Sequence, residues 1–480
     1  MKSLVKMVLS CAAIGAALIF TSCSSVDEPV EPPIKGVSVF LPNSLDSSVT
    51  VTLEFDEAWQ VSNNNSWFDV SPTSGQPGIV ELTVSGKEVN QDLREREGFF
   101  FITTSTGTAT QNFVFQEPMP GWNVAGKSAL VSSAAQSYTF SVQGNMDFEA
   151  KVADGVDWVT IDSVTESDST LLSDDSTYSM YRTYNINMTL TANEDDVRTA
   201  LISLNGVDGE TTDEIEISQI EQFAADYSKV FYRRSLGFRV TATSCGNCPK
   251  MAHAMKQAYE ETNGRFVPFY IYGMMSPGDS YIYEYWDYWY EFFDGTGFPI
   301  GVVNGYAECN NAYSQDVQID FYKAIAEEAV TELPANNAIG GIVVISNGTL
   351  NVDISIASKE AGTYTLGAFL LENGVIGYQS GAGENYEHNY VLREGFTPYD
   401  GEQVSVSANS ILELTYSMPV PTSVENIENC HVCVWIAEEG TFEGSVTTVE
   451  GQPHYKDYGM LIDNVVEIPV NGYIPFEYED

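Results

Sequence analysis

The stretch Ser244-Cys245-Gly246-Asn247-Cys248-Pro249 limits this chain more than any other. It follows a β-rich approach (Phe238 to Ala242) and opens a helical run from Pro249 to about Glu261. Two thiols in CxxC spacing at a strand-to-helix turn can close a small disulfide ring, and the positive end of the helix dipole favours thiolate over thiol. That leaves redox chemistry or metal binding. A metal needs more ligands, and the nearest candidate, His253, lies on the same helix with no second CxxC or His pair nearby. No metal and no cofactor are therefore expected. Downstream, Thr296-Gly297-Phe298-Pro299 leads into Ile300-Gly301-Val302-Val303 and then Asn304-Gly305. This reads as a proline entering a buried strand that ends in an Asn-Gly turn, and a cis peptide facing the CxxC explains a proline there.

With these residues in order, the sequence resembles the thioredoxin superfamily, whose fold sets a CxxC helix start against a cis-proline loop. The Cys-Gly-Asn-Cys-Pro form, and the stretch His388-Asn389-Tyr390-Val391-Leu392-Arg393, more narrowly resemble the outer membrane protein 28 family of Bacteroidetes lipoproteins. The candidate catalytic residues are Cys245, Cys248 and Pro299. Position makes Cys245 the attacking thiol, exposed at the turn before the helix, while Cys248 enters the first turn as the resolving one and Pro299 holds a substrate strand. The chain departs from active thioredoxins at three positions. Ser244 replaces the Trp before the first Cys, Asn247 replaces the Pro between them, and Arg239 replaces the buried acid that moves protons.

Lys and Arg number 21 against 67 Asp and Glu, a net charge of −46, which repels nucleic acid and anionic lipid surfaces. Nucleic-acid binding is excluded. Lys2 and Lys6, an apolar stretch from Met7 to Phe20 and Thr21-Ser22-Cys23 form a secretory leader resembling a bacterial lipobox. The resemblance implies lipid attachment at Cys23, an anchor rather than a span. The acidic, Pro-rich tract that follows reads as an extended tether and resembles the surface-export signal of such lipoproteins. The expected location is the outer membrane, on its cell-surface or periplasmic face.

The remaining chain reads as four modules: two all-β sandwiches, an α/β domain and a C-terminal all-β sandwich. The boundaries expected are 1–22 leader, 23–35 tether, 36–118 and 119–222 β-sandwiches, 223–334 thioredoxin-like domain and 335–480 C-terminal β-sandwich. In the first module Trp59, Trp67, Asn90 and Arg94 through Gln116 resemble the BACON (Bacteroidetes-associated carbohydrate-binding, often N-terminal) module. Trp158, Asn193, Arg198 and Gln219 repeat the order, which reads as a duplication. A Trp beside an alternating strand is core or a sugar platform. The α/β domain is expected to hold strands at Val230 to Arg234, Gly237 to Thr241 and Phe266 to Tyr272, and a closing helix from Gln315 to Thr331. Its aromatic run from Tyr281 to Phe293 is a packed helix or a groove lining. Cys430 and Cys433 form a second CxxC within a strand, where residues three apart face opposite ways, so they should not pair with each other. Cys309 is expected to bridge to one of them.

Two functions stay open. One is thiol–disulfide exchange or redox-sensitive binding at Cys245–Cys248, with protein thiols as clients. The other is a non-enzymatic surface binding lipoprotein, for glycan, host surface or partner protein, that uses the thioredoxin-like fold as a scaffold.

Overall fold

The computed structural model describes residues 36–124, 126–170, 181–346, 348–442, 448–449, 452–453, 455–456 and 458–479. The leader, Cys23 and the tether lie outside them. The protein is multidomain and mostly strand, and among the described residues no helix is long and apolar enough to cross a membrane. The chain divides into two compact units, one built on the residues up to Trp122 and the other on most of the chain after it.

In the first unit a five-stranded sheet (Ser38–Leu41, Ala109–Gln116, Arg96–Thr104, Trp59–Asn63, Ser74–Gly75) faces a three-stranded one (Ser48–Phe55, Gly78–Gly86, Phe68–Ser71). Alternation puts Leu82, Val84, Phe100, Ile102 and Val114 in the core between them. Trp59 is buried there, stacked on Phe55 at 4.7 Å and covering Gly75. The first strand runs parallel to the last, with Leu41 opposite Gln116.

The duplication is visible in the second unit, where Ser128–Val131 runs parallel to Thr212–Gln219 with Val131 opposite Gln219. Each copy closes the same way. Arg96 grips Gln116 Oε1 from Nε (3.1 Å) and Nη2 (2.6 Å) and lies over the Trp67 ring; Arg198 grips Gln219 Oε1 (3.0 and 2.8 Å) and lies over Trp158. Asn90 and Asn193 donate to backbone carbonyls beside these clusters. The repeated Trp, Asn, Arg and Gln are thus the internal fastening of each sandwich. Trp59, Trp67 and Trp158 are core and present no ring face for a sugar.

The rest of the second unit is built on a nine-stranded sheet. Its order is Ala307–Glu308, Ile300–Val303, Ser235–Thr241, Phe266–Tyr272, Val391–Gly395, Gly362–Glu372, Cys430–Glu439 and Met460–Pro469, with Glu402–Val406 branching from Gly362–Glu372. The sheet therefore crosses residue 334, where a boundary is expected, and the junction is the parallel pairing of Tyr270 with Val391. A four-stranded sheet (Ser410–Pro419, Thr349–Ser358, Asn337–Ser346, Gly472–Ile474) packs over the C-terminal part around Val352, Ile356, Leu366, Val432 and Val466.

Three α-helices are described: α1 (Cys248–Glu261), α2 (Trp286–Phe292) and α3 (Gln315–Glu332). Strand alternation sorts them onto two faces. Phe238 stacks on Trp289 of α2 at 5.2 Å, whereas its neighbours Gly237 and Arg239 look the other way, toward α1. A Cβ on Gly237 would meet the Phe266 ring and the Met255 methyl of α1, which is why a residue without a side chain stands there. The aromatic run is packing in its larger part: Trp289 and Phe293 are buried, while Trp286 and Tyr290 reach Phe298. The Val230 to Arg234 strand does not form. Phe231 alone bridges Tyr478, and the amides of Arg233 and Arg234 bond the Glu479 and Asn464 side chains instead.

Candidate functional site

The strand Ser235–Thr241 delivers the chain to a turn stitched by Asp279. Its carboxylate accepts from Thr243 Oγ1 (2.9 Å), Ser244 N (2.6 Å), Ser244 Oγ (2.9 Å), Met275 N (2.8 Å) and Ser276 N (2.7 Å). Partial burial opposes the charge of Asp279, but these five donors outweigh it and hold the carboxyl below its ordinary range. At the end of this turn Cys245 and Cys248 are joined in a disulfide, and α1 begins at Cys248 with Pro249 in its first turn. The Phe298–Pro299 peptide is cis, and Phe298 packs against the cluster of Ala242, Cys245 and Cys248. The Asn304-Gly305 turn that follows has positive φ at both residues, the geometry that suits Asn-Gly in a tight hairpin.

Both sulfur-bearing residues are buried, Cys245 at 3% and Cys248 at 1% exposure, which corrects the expectation of an exposed outer thiol. The cover comes from a hairpin (Val375–Gln379 with Gly383–His388) that sequence reasoning missed. Gln379 Nε2 donates to the carbonyls of Ala242 (3.2 Å) and Cys245 (2.9 Å), and Ser380 N donates to Thr243 O (2.8 Å). At the tip, Gly381 has φ +83°, and a Cβ there would lie 2.6 Å from Gly246 O, so the hairpin lies directly on the CxxC loop. No local signal links Gln379 to residues so far back in the chain.

Beside the CxxC turn, on the strand that leads to it, lies Arg239. Its guanidinium donates to Cys248 O (3.1 Å) and Tyr272 Oη (3.3 Å) and sits 3.7 Å from the centroid of Tyr270. Tyr272 in turn bonds His388 Nδ1 at 2.9 Å. Burial first, then the Arg239 charge, push His388 down to about 4, so it is neutral at physiological pH. His388 is thus a neutral partner within this buried polar layer.

The other thiols are apart and unpaired. Cys309, Cys430 and Cys433 are all free and buried, so the expected Cys309 bridge is not formed. Cys430 belongs to the core between the C-terminal sheets and Cys433 to the separate core that holds the helices and Trp435, the opposite orientations that strand alternation requires. Burial pushes the Cys309 and Cys430 thiols up to about 12. Among the described residues no three His, Cys, Asp or Glu side chains cluster as a metal site would need.

Comparison with known families matches two stretches of the chain. Residues 287–453 match the family Outer membrane protein Omp28. Residues 148–220 match the BACON family, described as a putative binding domain, N-terminal. The Omp28 segment takes in Pro299, the covering hairpin and the strands Val391–Gly395 and Cys430–Glu439; the BACON segment is the second sandwich, with Trp158, Arg198 and Gln219. Two stretches of the chain thus resemble known families, an outer membrane protein of the Omp28 kind over residues 287–453 and a BACON domain over residues 148–220. No curated protein matches the chain. Among solved structures, HBP35 of Porphyromonas gingivalis is 14% identical with a TM-score of 0.40, over 52% of this chain and 80% of that one. A structural-genomics protein from Agrobacterium tumefaciens is 11% identical with a TM-score of 0.32, over 51% and 97%. A Bacteroides ovatus GH5 xyloglucanase is 18% identical with a TM-score of 0.16, over 20% of each chain. Likenesses of that order carry no argument.

Proposed function

We propose that this chain is an outer-membrane surface binding lipoprotein, anchored through Cys23, in which a thioredoxin-like half serves as scaffold and Cys245–Cys248 is a covered disulfide that fixes the start of α1. The observation that carries this reading is the cover itself: buried sulfurs under a hairpin bonded to the CxxC carbonyls. Exchange with a client requires an in-line approach to one sulfur, and an intact hairpin denies it. On this reading the two sandwiches are spacers that hold the binding half away from the membrane, and their buried tryptophans support that role over sugar stacking. The test is alkylation of the native protein with and without reductant. A staple leaves Cys245 and Cys248 unlabelled until reduction, has a potential below about −300 mV, and loses thermal stability once reduced. Fractionation tests the anchor: Cys23→Ala should move the protein from the membrane to the soluble fraction, and unchanged partitioning refutes it.

Arg239 favours a second reading. A fixed cation 3.1 Å from the Cys248 carbonyl stabilises a thiolate at the helix start, which raises the potential of the pair and makes slow thiol exchange feasible once the hairpin lifts. Under this reading Cys248→Ser traps mixed disulfides through Cys245, and Cys245→Ser traps far fewer.

A further inference from the structure

Beside α1 lies a cavity of about 630 Å³, open to solvent, whose charge runs against the rest of the molecule. In a chain of net charge −46, its lining carries Arg239, Lys250 and Lys256 against the single carboxylate of Glu387. Pro249 and Lys250, in the first turn of α1, also line it. That helix end has no side-chain cap and no acidic residue in its first turn.

Arg239 is the centre of the argument. It is 2% exposed, and among the described residues no carboxylate pairs with it. A guanidinium stays charged in proteins and offers five N–H donors. Two of those serve Cys248 O and Tyr272 Oη, and Nε has no partner at all. Burying such a charge is costly unless an anion compensates it. The faces of Tyr270 and Tyr272 offset part of that. Lys250 is already held by the carbonyls of Asn311 and Tyr313, so it contributes field but few free donors, while Lys256 at the rim holds Glu387 only loosely, at 3.8 Å. Half-buried Tyr386 supplies an aromatic wall.

We infer that this cavity binds a small organic anion: a carboxylate taken up by the Arg239 fork, on a ring-sized body that rests against Tyr386 and the buried tyrosine pair. The fork matches a carboxylate bidentately, and the volume falls within the range of small-molecule sites. This names a ligand class for the binding reading and rests on that reading. It is independent of whether the disulfide is a staple or an exchanger.

The experiment is isothermal titration calorimetry of the full chain, in low salt, with glucuronate as probe and glucose and inorganic sulfate as controls. Glucuronate should bind at least about tenfold more tightly than either control, since a charged bidentate pair on a buried guanidinium is worth a factor of ten or more. Arg239→Met should weaken glucuronate by about tenfold or more. Lys256→Glu, a change at a half-exposed residue that leaves the core alone, should weaken it about threefold with unaltered melting, and it keeps the proposal testable if Arg239→Met does not fold. Glucose binding as well as glucuronate, sulfate binding as tightly, no glucuronate binding to folded protein, or undiminished binding in Lys256→Glu would each overturn the site. Cysteine alkylation is untouched by any of these outcomes, so this proposal and the covered-disulfide reading fail separately.

Discussion

Replacing Gln379 by Leu removes the amide that joins the hairpin to the CxxC turn while keeping most of the side chain's bulk. Two bonds are lost, to Ala242 O and Cys245 O. Each carbonyl retains a backbone donor, Cys245 N at 3.2 Å and Cys248 N at 3.4 Å, so neither is stranded. The loss is then the net worth of two bonds, about 1 kcal/mol each, rather than the full penalty for orphaned groups. If reductant reaches the disulfide only when the hairpin opens, about 2 kcal/mol off the opening free energy raises the open population roughly 30-fold. The assay is the rate of reduction by a small phosphine, followed by quenching and mass measurement, at a reductant concentration where closing outpaces attack. Gly381→Ala should act in the same direction, because its Cβ would press on Gly246 O and its φ is +83°. A reduction rate in folded Gln379→Leu within about twofold of the parent would refute the hairpin as gate, a limit well short of the roughly 30-fold expected.

Other consequences are as direct. Asp279 has its folded carboxyl held below the ordinary carboxylate range, so it stabilises the native state above the unfolded pKa and that contribution is lost as pH falls through the lowered value. Asp279→Ala should cost about 2–4 kcal/mol at pH 7 and flatten the acid limb of the stability curve, read by denaturant unfolding from pH 7 to 2. Gln219→Ala removes the acceptor for Arg198 and the donor to the carbonyls of Ser133, Ala134 and Thr191; it should cost about 2–4 kcal/mol in the second sandwich's transition. Cys309, Cys430 and Cys433 should resist iodoacetamide at pH 8 in the native protein and all react in denaturant, because burial keeps them as thiols.

Much of the architecture is legible in the sequence because its signals are local. The strand Phe266–Tyr272, helix α1 and the opposed faces of Cys430 and Cys433 follow from periodicity and turn residues alone. The sandwich duplication is legible too, since Trp, Arg and Gln recur in order, although their joint role as a fastening appears only when Arg198 is seen between Trp158 and Gln219. What sequence could not supply is non-local. Gln379 and Cys245 meet across a sheet junction, and nothing near either residue marks the meeting. Arg239 reads from sequence only as a missing acid; its burial between two tyrosines turns that absence into a positive charge under the site.

The pairing of Tyr270 with Val391 also has a bearing on the order in which the molecule can be made. The strand that follows α1 leaves the ribosome long before its sheet neighbour. Until residues 391–395 arrive, Phe266–Tyr272 presents a bare, apolar edge of the kind that recruits other chains. Such a polypeptide cannot mature module by module from its N-terminus through the CxxC region. Truncation between residues 273 and 390 removes that neighbour, and such a product should aggregate at concentrations where the full chain does not.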